Sequence, residues 1–173
     1  MTPSADHATH PVPSDAAASR AGAAPAAAAG TDPVSPSLML RRRIAAPPAK
    51  VFDAWTRPEQ LARWWGPHDT EATSAELDVR VGGRFFIRFS MKGGDEHGVG
   101  GRYLEVVPAE RLVFDWAWQS TPERRSLVTL RFAPDGDGTL LTLVHERFFD
   151  EKARDGHEHG WTQCLDRLAE VFA

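Results

Sequence analysis

The sequence has a single cysteine, Cys164, among its 173 residues. One cysteine can form neither an intramolecular disulfide nor a cysteine-based zinc site, so a hydrophobic core must stabilise the fold. A chain of this length buries about two thirds of its unfolded surface, which suffices without a covalent or metal cross-link. We therefore expect Cys164 to be a small buried side chain, and the cysteine usage fits a cytoplasmic protein.

The sequence also lacks an excess of positive charge and any long apolar segment. Its 20 basic and 24 acidic residues are interspersed and give a formal net charge of -4, so nucleic acid is not an expected partner. The basic cluster Arg41–Arg43 falls in a predicted edge strand, where charge discourages pairing with another sheet. No segment approaches the roughly 20 apolar residues that cross a bilayer, so membrane insertion is not expected.

Residues 1–37 contain six prolines, repeated alanine and no aromatic residue. Such a segment cannot bury enough apolar surface to offset its conformational entropy. We interpret it as a disordered arm and residues 38–173 as one folded domain. Two alternatives remain open for the arm: a signal peptide, although its basic start and long apolar segment are missing, and a start codon that belongs at Met39.

From Leu38 onward the pattern predicts one strand, two short helices, six strands and a long helix. The first strand is Leu38–Ile44, and prolines at 47–48 and 58 begin the two helices, because proline is tolerated in the first helical turn. Six strands bounded by turn residues are predicted at about 71–79, 84–91, 98–107, 111–119, 125–133 and 139–147. Their short connections favour an antiparallel meander.

The last segment, from about Asp150 to Phe172, has helical periodicity. One stripe of this helix collects His157, Trp161, Cys164, Leu165, Leu168 and Phe172. Such a stripe must be covered, and a seven-stranded sheet with one apolar face can curl around the helix. Gly156 and Gly160 weaken the first half of the helix by about 1 kcal/mol each relative to alanine. Their spacing indicates either the close approach of another element or a later helix start.

Several short local sequences resemble those of one known superfamily, in the same order. They are Ile44-Ala45-Ala46-Pro47, Val51-Phe52-Asp53-Ala54-Trp55, Pro58-Glu59, Trp64-Trp65-Gly66-Pro67, Gly82-Gly83-Arg84-Phe85, Glu110-Arg111-Leu112, His145-Glu146, and Gly160-Trp161 before Leu165-Asp166-Arg167-Leu168. With the order of elements, they make residues 38–173 resemble the START-like superfamily, also called SRPBCC or polyketide-cyclase-like. The resemblance is to the branch of activators of the ninety-kilodalton heat-shock chaperone ATPase.

The resemblance implies an α+β helix-grip fold, in which a seven-stranded curved antiparallel sheet wraps around the C-terminal helix and encloses a cavity. Members share this cavity rather than a reaction. The leading hypothesis is therefore a non-catalytic carrier or sensor of a small hydrophobic or aromatic molecule, without a cofactor. One alternative is a cyclase- or hydrolase-type enzyme whose cavity histidines shuttle a proton. The other is a co-chaperone-like interaction protein in the stress response.

The resemblance also bears on partners. A single domain of this kind carries no additional partner-binding domain, so a chaperone partner is not expected. The oligomeric state stays open between a monomer and a homodimer.

Two histidines are candidates for the cavity. The alternation of the last strand places His145 on one face with Leu141 and Leu143, so it points into the cavity if those leucines face the core. There it could orient a ligand carbonyl or act as a general base, or it could be a buried histidine satisfied by a neighbouring group. His157 lies four residues before Trp161, and both could line the cavity mouth.

Aromatic residues supply the other candidates. Trp116 and Trp118 share one strand face, and with Trp64, Trp65 and Trp161 they suit a flat, partly polar ligand, although core filling is equally plausible. Phe89 is favoured as inward-facing over Arg88, whose inward position would instead indicate an anionic ligand. The predicted ligand-binding residues are Trp64, Phe89, Trp116, Trp118, His145, His157, Trp161 and Leu165.

No metal site or nucleophile is predicted. His157 and His159 lie two apart on a helix and so point about 200° away from each other, and no third ligand is suitably spaced. The sequence contains no Gly-rich phosphate loop and no nucleophile elbow. Asp115, on the outward face of its strand, is predicted to pair with Arg131 on the next strand.

Overall fold

The computed structural model describes residues 34–173. Its elements in chain order are β1 (Leu38–Ile44), α1 (Pro48–Thr56), α2 (Pro58–Leu61), β2 (Thr70–Leu77), β3 (Arg84–Met91), β4 (Glu96–Val107), β5 (Arg111–Trp118), β6 (Ser126–Asp135), β7 (Gly138–Glu146) and α3 (Glu151–Val171). The predicted order of elements is confirmed. The predicted disordered arm lies, as far as residue 33, outside the described residues.

The seven strands form one antiparallel sheet in the order β1-β7-β6-β5-β4-β3-β2. Strands β2 to β7 pair with their neighbours in sequence, whereas β1 pairs with β7, so that Leu38 lies opposite His145 and Ile44 opposite Thr139. The sheet curls around α3, and the predicted α+β helix-grip fold is confirmed. The edges of the sheet are therefore β1 and β2.

The arginines of β1 lie on this edge, as predicted. The exposed Arg43 contacts Asp135 and Asp137 at the β6–β7 turn, with N···O distances of 3.1 and 2.7 Å. Arg42 reaches Asp166 of α3. Exposed ion pairs of this kind each contribute under about 1 kcal/mol, and charged side chains on an edge strand discourage its pairing with another sheet.

The predicted pair between Asp115 and Arg131 is wrong. Asp115 lies opposite Leu127 in the β5–β6 register. Its Oδ1 instead accepts hydrogen bonds from the backbone N–H of Arg102, at 2.9 Å, and from Nη1 of Arg125, at 3.1 Å. Alternation assigns a residue to a face of the sheet, but a shift of the register by two residues keeps the face and changes the partner.

Helix α3 begins before both of its glycines. The carboxylate of Asp150 caps the helix by accepting a hydrogen bond from the N–H of Ala153 at 2.7 Å, which satisfies one of the free donors of the first turn. Gly156 and Gly160 therefore lie inside the helix, and a Cβ built on either meets no atom of the neighbouring structure within 4 Å. Neither a later start nor a close approach explains them.

The core lies between the inner face of the sheet, α1 and the C-terminal half of α3. On β7, the side chains of Leu141, Leu143 and His145 are fully buried, as the alternation predicts. On β3, Phe89 is buried and Arg88 is exposed, so the favoured inward face of that strand is confirmed. Across residues 34–173, no helix has the length and apolar character needed to cross a membrane.

Candidate ligand-binding cavity

A cavity of about 420 Å³ opens between the N-terminal half of α3 and the inner face of the sheet. We call it the α3 cavity. Its floor is aromatic and consists of Trp65, Phe89, Trp116, Trp118, Phe148 and Trp161. Its α3 wall is formed by Ala153, Gly156, His157, Gly160 and Cys164, and the rest of its lining by Gly66, Pro67, Thr121, Arg124, Ser126, Phe149 and Lys152. This volume lies in the range of sites for drug-sized molecules.

One end of the α3 cavity is a loop that α3 holds in place. The loop between α2 and β2 contributes Trp65, Gly66 and Pro67. Nη1 of Arg167 donates hydrogen bonds to the three carbonyl oxygens of these residues at 2.8, 3.1 and 3.0 Å. The guanidinium of Arg167 therefore fixes the position of the loop relative to the helix.

The floor of the cavity is a connected group of indole rings. The ring centroid of Trp116 lies 5.0 Å from that of Trp161, 5.8 Å from that of Trp118 and 5.9 Å from that of Trp65. These separations are those of favourable aromatic pairs. Each ring is held by at least one other ring, so the floor presents preformed, flat apolar surfaces.

The α3 wall is set back from the floor because two of its residues have no side chain. Gly156 and Gly160 both line the cavity, and the space where a Cβ would project is open. Glycine inside a helix is less stable than alanine by about 1 kcal/mol. The helix is thus less stable than it would be with alanine at two positions, one turn apart, where a side chain would occupy the cavity.

His157 is held neutral by the tryptophans of β5. The Nε1–H groups of Trp116 and Trp118 donate to Nε2 of His157 at 3.1 and 3.0 Å. An indole N–H is only a donor, so Nε2 carries a lone pair. The proton is therefore on Nδ1, which donates to the carbonyl oxygen of Ala153 at 2.7 Å. Burial lowers the pKa of His157, in agreement with a neutral ring.

His145 has the opposite tautomer. Nε1–H of Trp161 donates to Nδ1 of His145 at 3.0 Å, so the proton of this ring is on Nε2. That nitrogen donates to Oγ of Ser126 at 2.7 Å. Burial, with a smaller contribution from His157, holds the pKa of His145 well below its ordinary value. The ring is neutral and inside the core.

These hydrogen bonds decide what the two histidines can do. All four ring nitrogens have partners within the protein, and three tryptophan N–H groups are consumed in satisfying them. A general base needs a lone pair within reach of the reacting proton, and neither ring offers one. The network instead fixes the orientation of the indole rings that form the cavity floor.

The structure places five of the eight predicted site residues in the cavity lining. These are Phe89, Trp116, Trp118, His157 and Trp161. Trp64, His145 and Leu165 do not line it. Trp64 is fully buried and donates its N–H to the carbonyl of Ala54 at 3.0 Å. Leu165 lies in the core, and His145 is fully buried with Nε2 bonded to Ser126. Alternation and helical period give a residue's face but not its depth.

Several lining residues were not predicted as site residues. Trp65, which the sequence groups with Trp64 among the aromatic candidates but which was not predicted to bind the ligand, lines the cavity. Gly156 and Gly160 gave a signal, since two glycines four residues apart in an amphipathic helix require an explanation. Arg124 and Lys152 gave none, because a charged residue in a turn or a first helical turn is ordinary.

A second, larger concavity of about 720 Å³ lies on the opposite face of the sheet, around Arg84 and Phe86 of β3. Its lining contains acidic residues (Glu76, Asp78) as well as arginines (Arg84, Arg102, Arg125). Asp115 already pairs with Arg125 there. Mixed charge and greater exposure make it a poorer site for an apolar ligand. Among residues 34–173, no group of three or more His, Cys, Asp and Glu side chains is placed to hold a metal ion.

Comparison with known proteins gives a consistent result. Residues 45–173 match the family model described as Activator of Hsp90 ATPase homolog 1-like protein. A solved structure from Chromobacterium violaceum is 32% identical, with a TM-score of 0.72 over 79% of this chain and 96% of that chain. The AHSA1 protein from Silicibacter pomeroyi is 28% identical, with a TM-score of 0.67 over 79% and 96%. CalU16 from Micromonospora echinospora is 29% identical, with a TM-score of 0.59 over 79% and 76%. No curated protein matches the sequence.

Proposed function

The chain belongs to the Activator of Hsp90 ATPase homolog 1-like family, and we propose that it binds a small, largely apolar molecule in the α3 cavity without transforming it. Proteins of this superfamily typically bind hydrophobic ligands or chaperones. The observation that carries the proposal is the α3 cavity itself, about 420 Å³ with an aromatic floor and a glycine wall. In this role the protein is a carrier or a sensor.

Burial of apolar surface supplies the binding energy. Each 100 Å² of apolar surface removed from water contributes about 2.5 kcal/mol before the entropy of association is subtracted. The indole rings of Trp65, Trp116 and Trp161 provide flat faces that suit a planar ring. Because these rings are already packed on one another, little side-chain entropy is lost when a ligand binds.

The enzymatic alternative has less support. A proton shuttle would require His145 or His157 to give up a hydrogen bond to a tryptophan and expose a lone pair. His145 does not line the cavity, so it would also need to reach the ligand past the side chains that do. Both requirements oppose general-base chemistry by these residues.

A chaperone-binding role also has less support. The large apolar side chains exposed in residues 34–173 are Val34, Met39, Val81, Leu104 and Phe149, which belong to different strands and loops. Some exposed apolar residues are normal for a globular surface, so these five side chains do not by themselves indicate a protein-binding site. The α3 cavity is the more specific feature of this chain.

The first test is a titration with N-phenyl-1-naphthylamine, an uncharged planar dye that fluoresces in apolar surroundings. The wild-type protein should bind it saturably and show quenched tryptophan fluorescence, because four tryptophans line the α3 cavity. Gly160→Leu places a side chain in the cavity and should abolish binding. Glu158→Leu adds the same side chain to an exposed position of α3 and should leave binding intact.

Circular dichroism of both variants checks that each is folded. Equal dye binding by the wild type and a folded Gly160→Leu variant would remove the α3 cavity as the site. Native mass spectrometry of gently purified protein, compared with its denatured mass, then tests for a natural ligand. A reproducible excess mass supports the proposal and gives the mass of the bound molecule.

A further inference from the structure

We propose that the ligand of the α3 cavity is a flat organic acid, whose apolar body enters the cavity while its anionic group is bound at the mouth by Arg124 and Lys152. This inference rests on the proposed function and adds the chemical class and the orientation of the ligand. It follows from the charges of the lining and from the saturation of the polar groups deeper in the cavity.

The charged residues of the lining have one sign. Among the described residues that line the α3 cavity, Arg124 and Lys152 carry charge at neutral pH and none is a carboxylate. The formal net charge of the whole chain is -4. A lining with two cations and no carboxylate therefore has a charge opposite in sign to that of the whole chain. An anionic group at the mouth would meet attraction from both side chains and no close repulsion within the lining.

Arg124 lies against an aromatic ring at the mouth, with 46% of its side chain accessible to solvent. Its guanidinium carbon lies 4.1 Å from the ring centroid of Phe149, a cation–π geometry that fixes the charge near the opening. Phe149 itself is 66% exposed and lines the cavity mouth. The nearest carboxylate to Arg124 is that of its chain neighbour Glu123, at 3.8 Å. Glu123 is largely exposed, so this contact competes weakly with a bound anion.

Lys152 is the second cation of the lining and is exposed. It is the second residue of α3, next to the lining residue Ala153. The two cations therefore belong to the β5–β6 connection and to the start of α3, the two segments that border the cavity mouth. On β1, by contrast, Arg43 is paired with two carboxylates, those of Asp135 and Asp137.

Three polar side chains inside the cavity are already paired within the protein. The N–H groups of Trp116 and Trp118 donate to His157, and Oγ of Ser126 is bonded to His145. A polar ligand group placed there would lose its water without gaining a partner, which is costly. This pairing favours binding of an acid with its apolar body inside and its anionic group outside, beside the cations.

The test compares two dyes of nearly the same shape. N-phenyl-1-naphthylamine is uncharged, and 1-anilinonaphthalene-8-sulfonate adds one sulfonate, which here stands in for the acidic group. The wild type should bind the sulfonate more tightly. The ratio of the two affinities should fall about two- to fivefold when Lys152→Gln or Arg124→Gln removes one cation, and further in the double variant. Raising the NaCl concentration from 0.05 to 0.5 M should weaken binding of the sulfonate only.

The control variant is Lys50→Gln, which removes an exposed lysine of α1 outside the cavity lining and should leave the ratio unchanged. If the uncharged dye binds and its affinity equals that of the sulfonate in the wild type and the double variant, the inference of an acid is wrong and the proposed function stands. If neither dye binds, the proposed function fails. If Gly160→Leu does not reduce sulfonate binding, the dye occupies another site and the inference is overturned.

Discussion

His145 and His157 lie with their ring centroids 5.0 Å apart and carry their protons on different ring nitrogens. His145 receives the N–H of Trp161 on Nδ1, whereas His157 receives two tryptophan N–H groups on Nε2. Each arrangement requires a lone pair on the accepting nitrogen and so a neutral ring. The cavity floor therefore depends on two histidines that must not take up a second proton.

The first prediction concerns the pH dependence of stability. Burial lowers the pKa of both His145 and His157 in the folded protein, while in the unfolded chain they titrate near 6.5. Below that pH the unfolded state binds protons that the folded state does not, so the free energy of unfolding falls as the pH falls from about 7 to 5. Each histidine can add up to about 1.4 kcal/mol per pH unit to this slope.

Urea denaturation at a series of pH values measures this slope. His157→Gln should reduce the slope, since one titrating group is removed. His159→Gln removes an exposed histidine from the same helix and should leave it unchanged. Constant stability between pH 7 and 5 would show that the rings are not held neutral.

The second prediction is that the two tautomers can be observed directly. Long-range ¹⁵N–¹H correlation spectra distinguish protonation at Nδ1 from protonation at Nε2. At pH 7.5, His157 should have its proton on Nδ1 and His145 on Nε2. Trp118→Phe removes one donor to His157 but leaves Trp116, so the tautomer should persist. The same tautomer for both rings would contradict the hydrogen-bond network.

The strands and helices were predictable because they follow from local patterns. The inward faces of β3 and β7 follow from alternation alone, as Phe89 and His145 show. The depth of each residue does not, because it depends on how the sheet curls. Trp64 and Trp65 are adjacent and equally apolar, yet Trp64 donates to Ala54 within the core and Trp65 lines the cavity.

The hydrogen bonds between residues far apart in the chain also could not be predicted from the sequence. His157 and Trp116 are 41 residues apart, and nothing local indicates that they meet. Asp115 shows the same limit in the sheet, since its partner depends on the exact register rather than on its face. The glycines of α3 are the exception: their pattern signalled a special position, and the structure supplies the reason.

The third prediction uses Gly160→Ala to separate stability from binding. Alanine restores helix propensity, and its methyl group enters open space, so the free energy of unfolding should rise by about 0.5–1 kcal/mol. The same methyl group narrows the α3 cavity, so the affinity for N-phenyl-1-naphthylamine should fall. Gly156 lies at a more exposed position than Gly160. Gly156→Ala should therefore raise the free energy of unfolding by a similar amount but cause a smaller loss of dye affinity. Destabilisation by Gly160→Ala would indicate that the cavity is closed at this point.

The last prediction concerns Arg167, which joins α3 to the loop that ends the cavity. Arg167→Gln leaves the carbonyl oxygens of residues 65–67 without their charged donor, and hydrogen bonds to charged groups contribute about 1.5–3 kcal/mol. We expect the free energy of unfolding to fall by about 2 kcal/mol, and amide exchange at Thr70 to become faster, because its N–H is bonded to the carbonyl of Pro67. Dye affinity should fall as well, since the loop forms part of the lining.

Arg63→Gln is the matched control for Arg167→Gln: Arg63 is exposed and bonded to the side chain of Gln60, so its loss should change the free energy of unfolding by less than about 0.5 kcal/mol. Equal effects of the two substitutions would mean that Arg167 does not hold the loop.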